Sequence, residues 1–231
     1  MGYTYCMSDI HGEIDRYIAM LDAIHFSNED LLYIIGDVID RHPGGIDILR
    51  DIMKRPNIHM LMGNHEMMCL ATLGPMNTVG ARQLWKENGG SSTLRELLYH
   101  MPSAERHQII SFLHTLPTSL DIEVNGGKFH LVHGFPSPEV DDQLWKRPTI
   151  HTPNPFSDGR TVIIGHTPVA FLLQPEKVPR ANYLNSLESF GEHLRILHTE
   201  GFIDIDCGCG NLTAARRLAC IRLDDMKEFY T

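Results

Sequence analysis

Gly36-Asp37-Val38-Ile39-Asp40-Arg41, coming directly after the apolar run Leu31 to Ile35, is the stretch on which the reading of the fold turns. A short apolar run that stops at Gly-Asp reads as a buried strand running out into a polar loop. The same punctuation recurs four times. Asp9-Ile10-His11-Gly12 closes Tyr3 to Ser8, Gly63-Asn64-His65-Glu66 closes Ile58 to Met62, His133-Gly134 closes Phe129 to Val132, and Gly165-His166-Thr167 closes Thr161 to Ile164. Strand ends are where α/β sheets collect their ligands, so five polar clusters at five strand ends predict one shared site.

Outward from these clusters, the opening reads as strand, loop and helix in repetition. Helices are expected from about Ile14 to Ile24 and from Gly45 to Met53, each with apolar residues at three- and four-residue spacing. Between Glu66 and Leu116 the pattern changes to helices alone, with Ser91 and Ser103 expected as N-caps and Pro117 as a stop. This stretch reads as a helical insertion over one rim of the site. From Thr118 onward short strands dominate and should build a second sheet, with Asn125-Gly126-Gly127 a hairpin turn between Leu120–Val124 and Lys128–Val132. Thr149 to Asp158 and Gln174 to Glu192 read as surface loops. No repeat, low-complexity tract or linker divides the chain, and a single domain over 1–231 is expected.

The residue types in the clusters point to metal chemistry. Two adjacent divalent ions need carboxylate, imidazole and amide donors converging from several loops, with one ligand between them. Asp37 is the candidate bridge; Asp9 and His11, two apart on an extended segment, can point at one ion, while Asn64, His133 and His166 would surround the other. Oxygen and imidazole donors without thiolate suit Mn2+, Fe2+/Fe3+ or Zn2+ and leave the choice among them open; Mn2+ is put first, with Fe or Zn as the alternatives. Singly, Asp9 and Asn64 read equally well as helix N-caps and each histidine as an ordinary polar residue. The ordered set carries the assignment.

Bulk properties exclude several classes. A formal net charge of -9 without any Lys/Arg run leaves no electrostatic footprint for nucleic acid or anionic lipid. No apolar run is long enough to cross a bilayer. Five scattered cysteines and an N-terminus unlike a signal peptide predict a reducing, cytoplasmic setting, no membrane attachment and no nucleic-acid partner; the oligomeric state is not readable.

Together the clusters resemble those of the phosphoprotein phosphatase family of calcineurin-like metallophosphoesterases. The resemblance runs from about residue 3 to residue 223. It is strongest toward the compact bacterial and phage-type serine/threonine protein phosphatases, through Trp85-Lys86-Glu87-Asn88-Gly89-Gly90 and Ile205-Asp206-Cys207-Gly208. It implies an α/β (α+β) fold, a β-sandwich of two mixed sheets flanked by helices. It also implies two divalent or trivalent metal ions, one on Asp9, His11 and Asp37 and the other on Asp37, Asn64, His133 and His166. The reaction implied is direct in-line attack by a metal-bridging hydroxide on a phosphomonoester. Two positions depart from the family pattern: His42 stands where Gly is usual and Phe135 where a small residue is common, and both changes are expected at the rim.

Within that resemblance, Arg41 and Asn64 would bind the phosphoryl group and Arg147 looks like the family's second phosphate-binding arginine; it reads nearly as well as a surface arginine beside a packed Trp145. His65, next to Asn64 and not needed for coordination, is the expected general acid. Asp40 would hold its imidazolium, the alternatives being an ion pair with Arg41 or a helix cap. Cys207-Gly208-Cys209-Gly210-Asn211 invites a thiolate-phosphatase reading but lacks the arginine such a loop needs. The expected partner is a phosphorylated protein or small phosphoester. A symmetrical dinucleoside polyphosphate hydrolase is the close alternative, and a non-catalytic metal-dependent binding module the alternative of another class. Rim cations are few, Arg82, Lys86, Arg147 and Arg160, which favours a phosphomonoester over a tetraphosphate.

Overall fold

A computed structural model describes residues 2–75, 78–189, 192–211 and 213–231, so residues 76–77 and 190–191 of the expected insertion and loop lie outside the described ones. The opening alternates as expected: β1 (Thr4–Met7), α1 (Ile14–Ala23), β2 (Leu31–Ile34), α2 (Gly45–Ile52) and β3 (Ile58–Met60). The stretch read as helical holds α3 (Asn64–Leu73), α4 (Ala81–Glu87), α5 (Ser91–Arg95), a π-helical turn (Glu96–His100) and α6 (Ser103–His114). Then come β4 (Ser119–Val124), β5 (Gly127–Val132), α7 (Val140–Trp145), β6 (Thr161–Ile164), α8 (Val169–Leu173), α9 (Arg180–Ser189), β7 (Leu197–His198), β8 (Ile203–Asp204), β9 (Ala219–Arg222) and β10 (Lys227–Tyr230).

Two mixed sheets form, in the orders β10-β9-β1-β2-β3 and β4-β5-β6-β8-β7. In the first, β1, β2 and β3 run parallel and β9 antiparallel; in the second, β5, β6 and β8 run parallel. The period-2 alternation of a strand decides which layer each residue enters. Tyr5, Met7 and Cys220 face the helices with Ile10, Tyr17, Met20, Ile48 and Leu49. Cys6 and Ile221 face the other way and meet Leu131, Ile163 and Ile205 between the sheets. The result is a sandwich flanked by helices, the expected fold class. The last two strands return to the first sheet, so the chain after Thr118 does not build the second sheet alone.

Three local expectations need correction. Ser91 and Ser103 are first helical residues and not caps, because Gly90 and Pro102 hold the cap positions. Gly90 is confined there by the Trp85 ring, whose Cδ1 would lie 2.3 Å from an added Cβ. The stretch Gln174–Glu192 contains α9, which buries no residue fully and so shows little of the apolar stripe that announces a helix. Tyr183, Leu184 and Leu187 seat it on the inter-sheet core, and Pro179 just before it is the signal that could have found it. Phe135, expected at the rim, is 4% exposed and packs edge-on against Phe202 at 5.9 Å between centroids.

The entry to β2 rests on Asp30, which accepts from Tyr3 N (2.7 Å), Ser27 N (2.8 Å) and Ser27 Oγ (2.8 Å). Burial opposes its charge, but these donors outweigh that and hold the carboxyl below its usual range. A depressed acid contributes stability above its unfolded value of about 4 and loses it as pH falls below that. Asp30→Asn should cost about 1–2 kcal/mol at pH 7 in urea unfolding, with the gap to wild type narrowing by pH 3. A gap that widens in acid would show the sign to be wrong.

Candidate metal centre

All five clusters sit where parallel strands end. Asp9 and His11 follow β1, Asp37 and Asp40 follow β2, Asn64 and His65 open α3 after β3, His133 follows β5 and His166 follows β6. Because these strands are parallel within each sheet, their C-terminal ends share an edge, and the two edges meet. The backbone there is not extended as the sequence suggested for Asp9 and His11. Asp9 (φ 53°), His11 (φ 49°), Asp37 (φ 54°), Asp40 (φ 75°), Arg41 (φ 65°) and His166 (φ 63°) are all left-handed. Such residues cost about 1–3 kcal/mol each and persist only where surrounding structure holds them. Here His11 N donates to Asp37 O (2.9 Å) and Gly12 N to Val38 O (2.8 Å), lacing the β1 loop to the β2 loop.

Asp37 lies at the middle. Its Oδ2 is 3.6 Å from His11 Nε2 and 3.7 Å from His65 Nε2, and its Oδ1 is 3.3 Å from His133 Nε2. Asp9 Oδ1 is 3.8 Å from His11 Nε2. Asn64 Oδ1 is 2.9 Å from His133 Nε2 and 3.1 Å from His166 Nδ1. Two ligands bonded to one ion at about 2.1 Å stand about 3 Å apart at a right angle and about 4 Å apart when opposite, so these spacings fit a coordination shell. His11, Asp37 and His65 form one group whose ligand atoms lie within 4.8 Å of one another, and Asp37, His133 and His166 a second. Asp37 belongs to both.

The second nitrogen of each candidate histidine ligand is already used. His11 Nδ1 donates to Ile39 O (3.1 Å), His133 Nδ1 to Ile35 O (2.8 Å) and His166 Nε2 to Trp145 O (3.1 Å). Pinning one ring nitrogen to a carbonyl fixes the tautomer and turns the other lone pair inward, as a metal ligand requires. The electrostatics fit a cation as well. Burial raises the Asp9 carboxyl, and burial with the Asp9 charge raises Asp206 well above the usual range. Burial opposes charge on His133, but Asp37 and Asp9 outweigh it and lift the imidazole to about 10. Burial and that charged His133 push His166 down to about 3.

His65 differs from the other histidines. Its Nδ1 is 2.7 Å from the carboxylate oxygen Asp40 Oδ2, so the ring donates there and turns Nε2 toward Asp37. Burial resists charge on this imidazole, and Asp37 and Asp40 overcome it and raise its value. The same Asp40 oxygen accepts from Trp85 Nε1 at 2.6 Å. Trp85 belongs to the quoted Trp-x-x-Asn-Gly-Gly segment, whose Gly89 O also takes Arg41 N (3.1 Å). That segment therefore brings α4 against the site and leaves Arg41 exposed at its mouth. Trp85→Phe keeps an aromatic side chain but loses the donor and part of the buried volume; it should lower kcat about tenfold with KM little changed, as steady-state kinetics would read.

Glu66 stands in one of the five clusters without a role expected from the sequence. Fully buried, its Oε1 accepts from Val38 N (2.9 Å) and Ile39 N (3.3 Å), and its Oε2 from Asp37 N (2.8 Å) and Gly63 N (3.1 Å). Its spacing, three after Gly63, is the helix-start signature that marks it. Gly63 itself is required because an added Cβ would stand 2.2 Å from Asp37 Oδ1. His42, at the position where the family has Gly, takes part in a small network: its Nδ1 is 3.2 Å from Glu13 Oε1 and its Nε2 3.2 Å from Arg216 Nη1. Of the rim cations expected, Arg160 is occupied elsewhere by Asp121 and Asp158, both at 2.7 Å. Burial raises the thiols of Cys207 and Cys209, which removes the basis for a thiolate nucleophile.

The pattern of the family described as calcineurin-like phosphoesterase matches residues 3–199. A symmetrical bis(5'-nucleosyl)-tetraphosphatase of Salmonella paratyphi B is 37% identical over 70 residues, 29% of this chain; the match spans a quarter (25%) of that relative's length. Several solved structures share the fold over 100% of this chain, among them one described as a putative diadenosine tetraphosphatase, with TM-score 0.62, 17% identity and 93% of its length covered, and two others. One, a protein serine/threonine phosphatase from Saccharomyces cerevisiae, has TM-score 0.56, 12% identity and 79% of its length covered. The other, a cold-active protein-tyrosine phosphatase of a psychrophilic Shewanella, has TM-score 0.53, 16% identity and 80% covered. Among the described residues, no helix is long and apolar enough to cross a membrane.

Proposed function

Because the chain belongs to the calcineurin-like phosphoesterase family, whose members use a dinuclear metal centre, we propose that it hydrolyses phosphomonoesters. Phosphoserine and phosphothreonine in proteins would be the substrates and Mn2+ the activating metal. The observation that carries the reading is the convergence of three histidines, each with one ring nitrogen tied to a backbone carbonyl, around Asp37, His11 and His133 directly and His166 within 4.8 Å in the group it shares with Asp37 and His133.

In this reading Asp9, His11 and Asp37 hold one ion, and Asp37, Asn64, His133 and His166 the other. When bound, the ion pair supplies a water-derived nucleophile at neutral pH and neutralises charge on the phosphoryl group. Arg41, and Arg147 beyond it, orient that group through N–H donors, which are worth most where negative charge spreads over its oxygens in the transition state. His65 gives a proton from Nε2 to the leaving oxygen, and Asp40 keeps the ring charged and aimed. Glu66 holds the Asp37 loop against the start of α3. A binding module would have no use for His65 poised on Asp40 beside the ligand set, which argues against a non-catalytic role.

The test is a Mn2+-supplemented panel of an aryl phosphate, phosphoserine and phosphothreonine peptides, and diadenosine tetraphosphate, with metal content measured in parallel. Close to two metals per chain, loss of activity on chelation, and a higher kcat/KM on phosphopeptides are expected. One metal or none in a folded, Mn2+-loaded sample would sink the dinuclear reading. Symmetrical cleavage of diadenosine tetraphosphate with phosphopeptides untouched would transfer the assignment to a dinucleoside polyphosphate hydrolase.

A further inference from the structure

Arg147 is among the rim cations expected from the sequence, and Arg180 is not. Both guanidinium groups lie over one ring: the central carbon of Arg180 is 3.2 Å from the Phe171 centroid and that of Arg147 is 5.3 Å from it. Their charges are therefore closer than the sum of those distances, inside the Debye length of about 8–10 Å. Among the described residues, neither has a carboxylate within ion-pair distance, whereas Arg50, Arg55, Arg160, Arg216 and Arg222 all do. Like charges this close repel; the Phe171 face offsets part of that, and on the Arg147 side so do the more distant Asp206 and Asp9.

The pair is tied to the candidate centre at one end and to a fixed helix at the other. Arg147 stands two residues after Trp145, whose carbonyl accepts from His166 and whose ring meets the His166 ring edge-on at 6.0 Å. Arg180 opens α9, which rests on the inter-sheet core through Tyr183, Leu184 and Leu187. Near the other end of that helix, Glu188 accepts from Ala214 N at 2.8 Å. Arg180 is exposed but its helix is anchored, so its charge has a defined place beside Arg147 on the Phe171 ring.

We propose that Arg180, held beside Arg147 on the Phe171 ring, forms a second anion subsite, so that the site prefers phosphoesters carrying another negative group near the phosphate. One arginine would serve the phosphoryl group and the next its anionic neighbour, with charge-assisted hydrogen bonds as the recognition. The neighbour belongs either to an acidic phosphopeptide or to a small phosphorylated acid, and both present the same chemistry. The inference rests on the phosphomonoester reading above for its substrate class, but its test does not depend on turnover.

Binding would be measured by calorimetry on the metal-loaded protein with two pairs of probes. One pair is a peptide in which the non-hydrolysable phosphonate analogue of phosphoserine is followed by Asp, and its Asn counterpart; the other is the phosphonate analogues of 3-phosphoglycerate and glycerol 3-phosphate. Wild type should bind the more acidic member of at least one pair about five- to tenfold more tightly. The pair that shows it identifies the source. Arg180→Gln should erase that preference while leaving the less acidic member within about twofold, and Arg180→Lys should keep part of it. Arg180 is exposed, so the unfolding midpoint should not move and a folding defect is separable. No preference in wild type for either pair, or equal weakening of both members in Arg180→Gln, overturns the subsite. If the preference stands and no phosphoester is cleaved, the subsite survives and the hydrolytic reading falls; cleavage without the preference gives the reverse.

Discussion

His65→Asn will lower kcat by a factor on the order of 10² or more on a phosphoester with a poor leaving group, while metal content stays near wild type. The imidazole is 1% exposed, with Nδ1 committed to Asp40 at 2.7 Å and Nε2 3.7 Å from Asp37 Oδ2. Burial alone would discharge such a ring, and it stays a proton donor because two carboxylates face it. Asn is small enough to fit, keeps a donor toward Asp40, and cannot deliver a proton. A substrate with a good leaving group needs no such proton, so the loss there should be much smaller. Asp40→Asn should reproduce the pattern more weakly, because it weakens the charge on His65 without removing the ring. The decisive measurement is metal stoichiometry: His65 Nε2 is close enough to His11 and Asp37 to share an ion with them, and a His65 variant that loses a metal would make it a ligand and not the acid.

Glu66→Ala should give the largest loss of stability, about 3–5 kcal/mol, together with loss of metal affinity. Its two oxygens accept from four buried N–H groups, those of Asp37, Val38, Ile39 and Gly63. An unsatisfied buried donor costs about 1–3 kcal/mol, and four that share one partner do not add in full. Burial and the neighbouring Asp37 raise the Glu66 carboxyl to about 7, so this bonding is held against a desolvation penalty. Removing the side chain frees the left-handed Asp37 backbone from its restraint and unhooks it from α3. Glu66→Gln keeps the volume and one acceptor, turns an amide donor toward backbone donors, and should fall between the two. Equilibrium unfolding and metal binding of both variants check the claim; a Glu66→Ala protein within about 1 kcal/mol of wild type would mean the four donors find water instead.

The metal-site candidates were legible because their signals are local. An apolar run of four to six residues, then Gly, Asp, Asn or His, states in one breath where a strand stops and what stands at its end, and all five runs became strands. The Asn125-Gly126 turn is equally local, since both residues adopt the positive φ (50° and 83°) that this pair tolerates. α9 was not legible, because Tyr183, Leu184 and Leu187 are only partly buried and the rest of the helix faces solvent.

What the sequence determined by itself was the set of donors, the order of the strands that deliver them and the class of chemistry, because hydrophobic period and residue type act over a few neighbours. What only the tertiary structure decided was everything that depends on two distant segments meeting. It set Trp85 on Asp40, Glu66 under the Asp37 loop, Arg160 away from the site beside Asp121, and Arg180 next to Arg147 over one ring. It also turned Asp9 and His11 out of the extended conformation, since the hydrogen bonds of the β1 loop to the β2 loop outweigh the local preference of either residue.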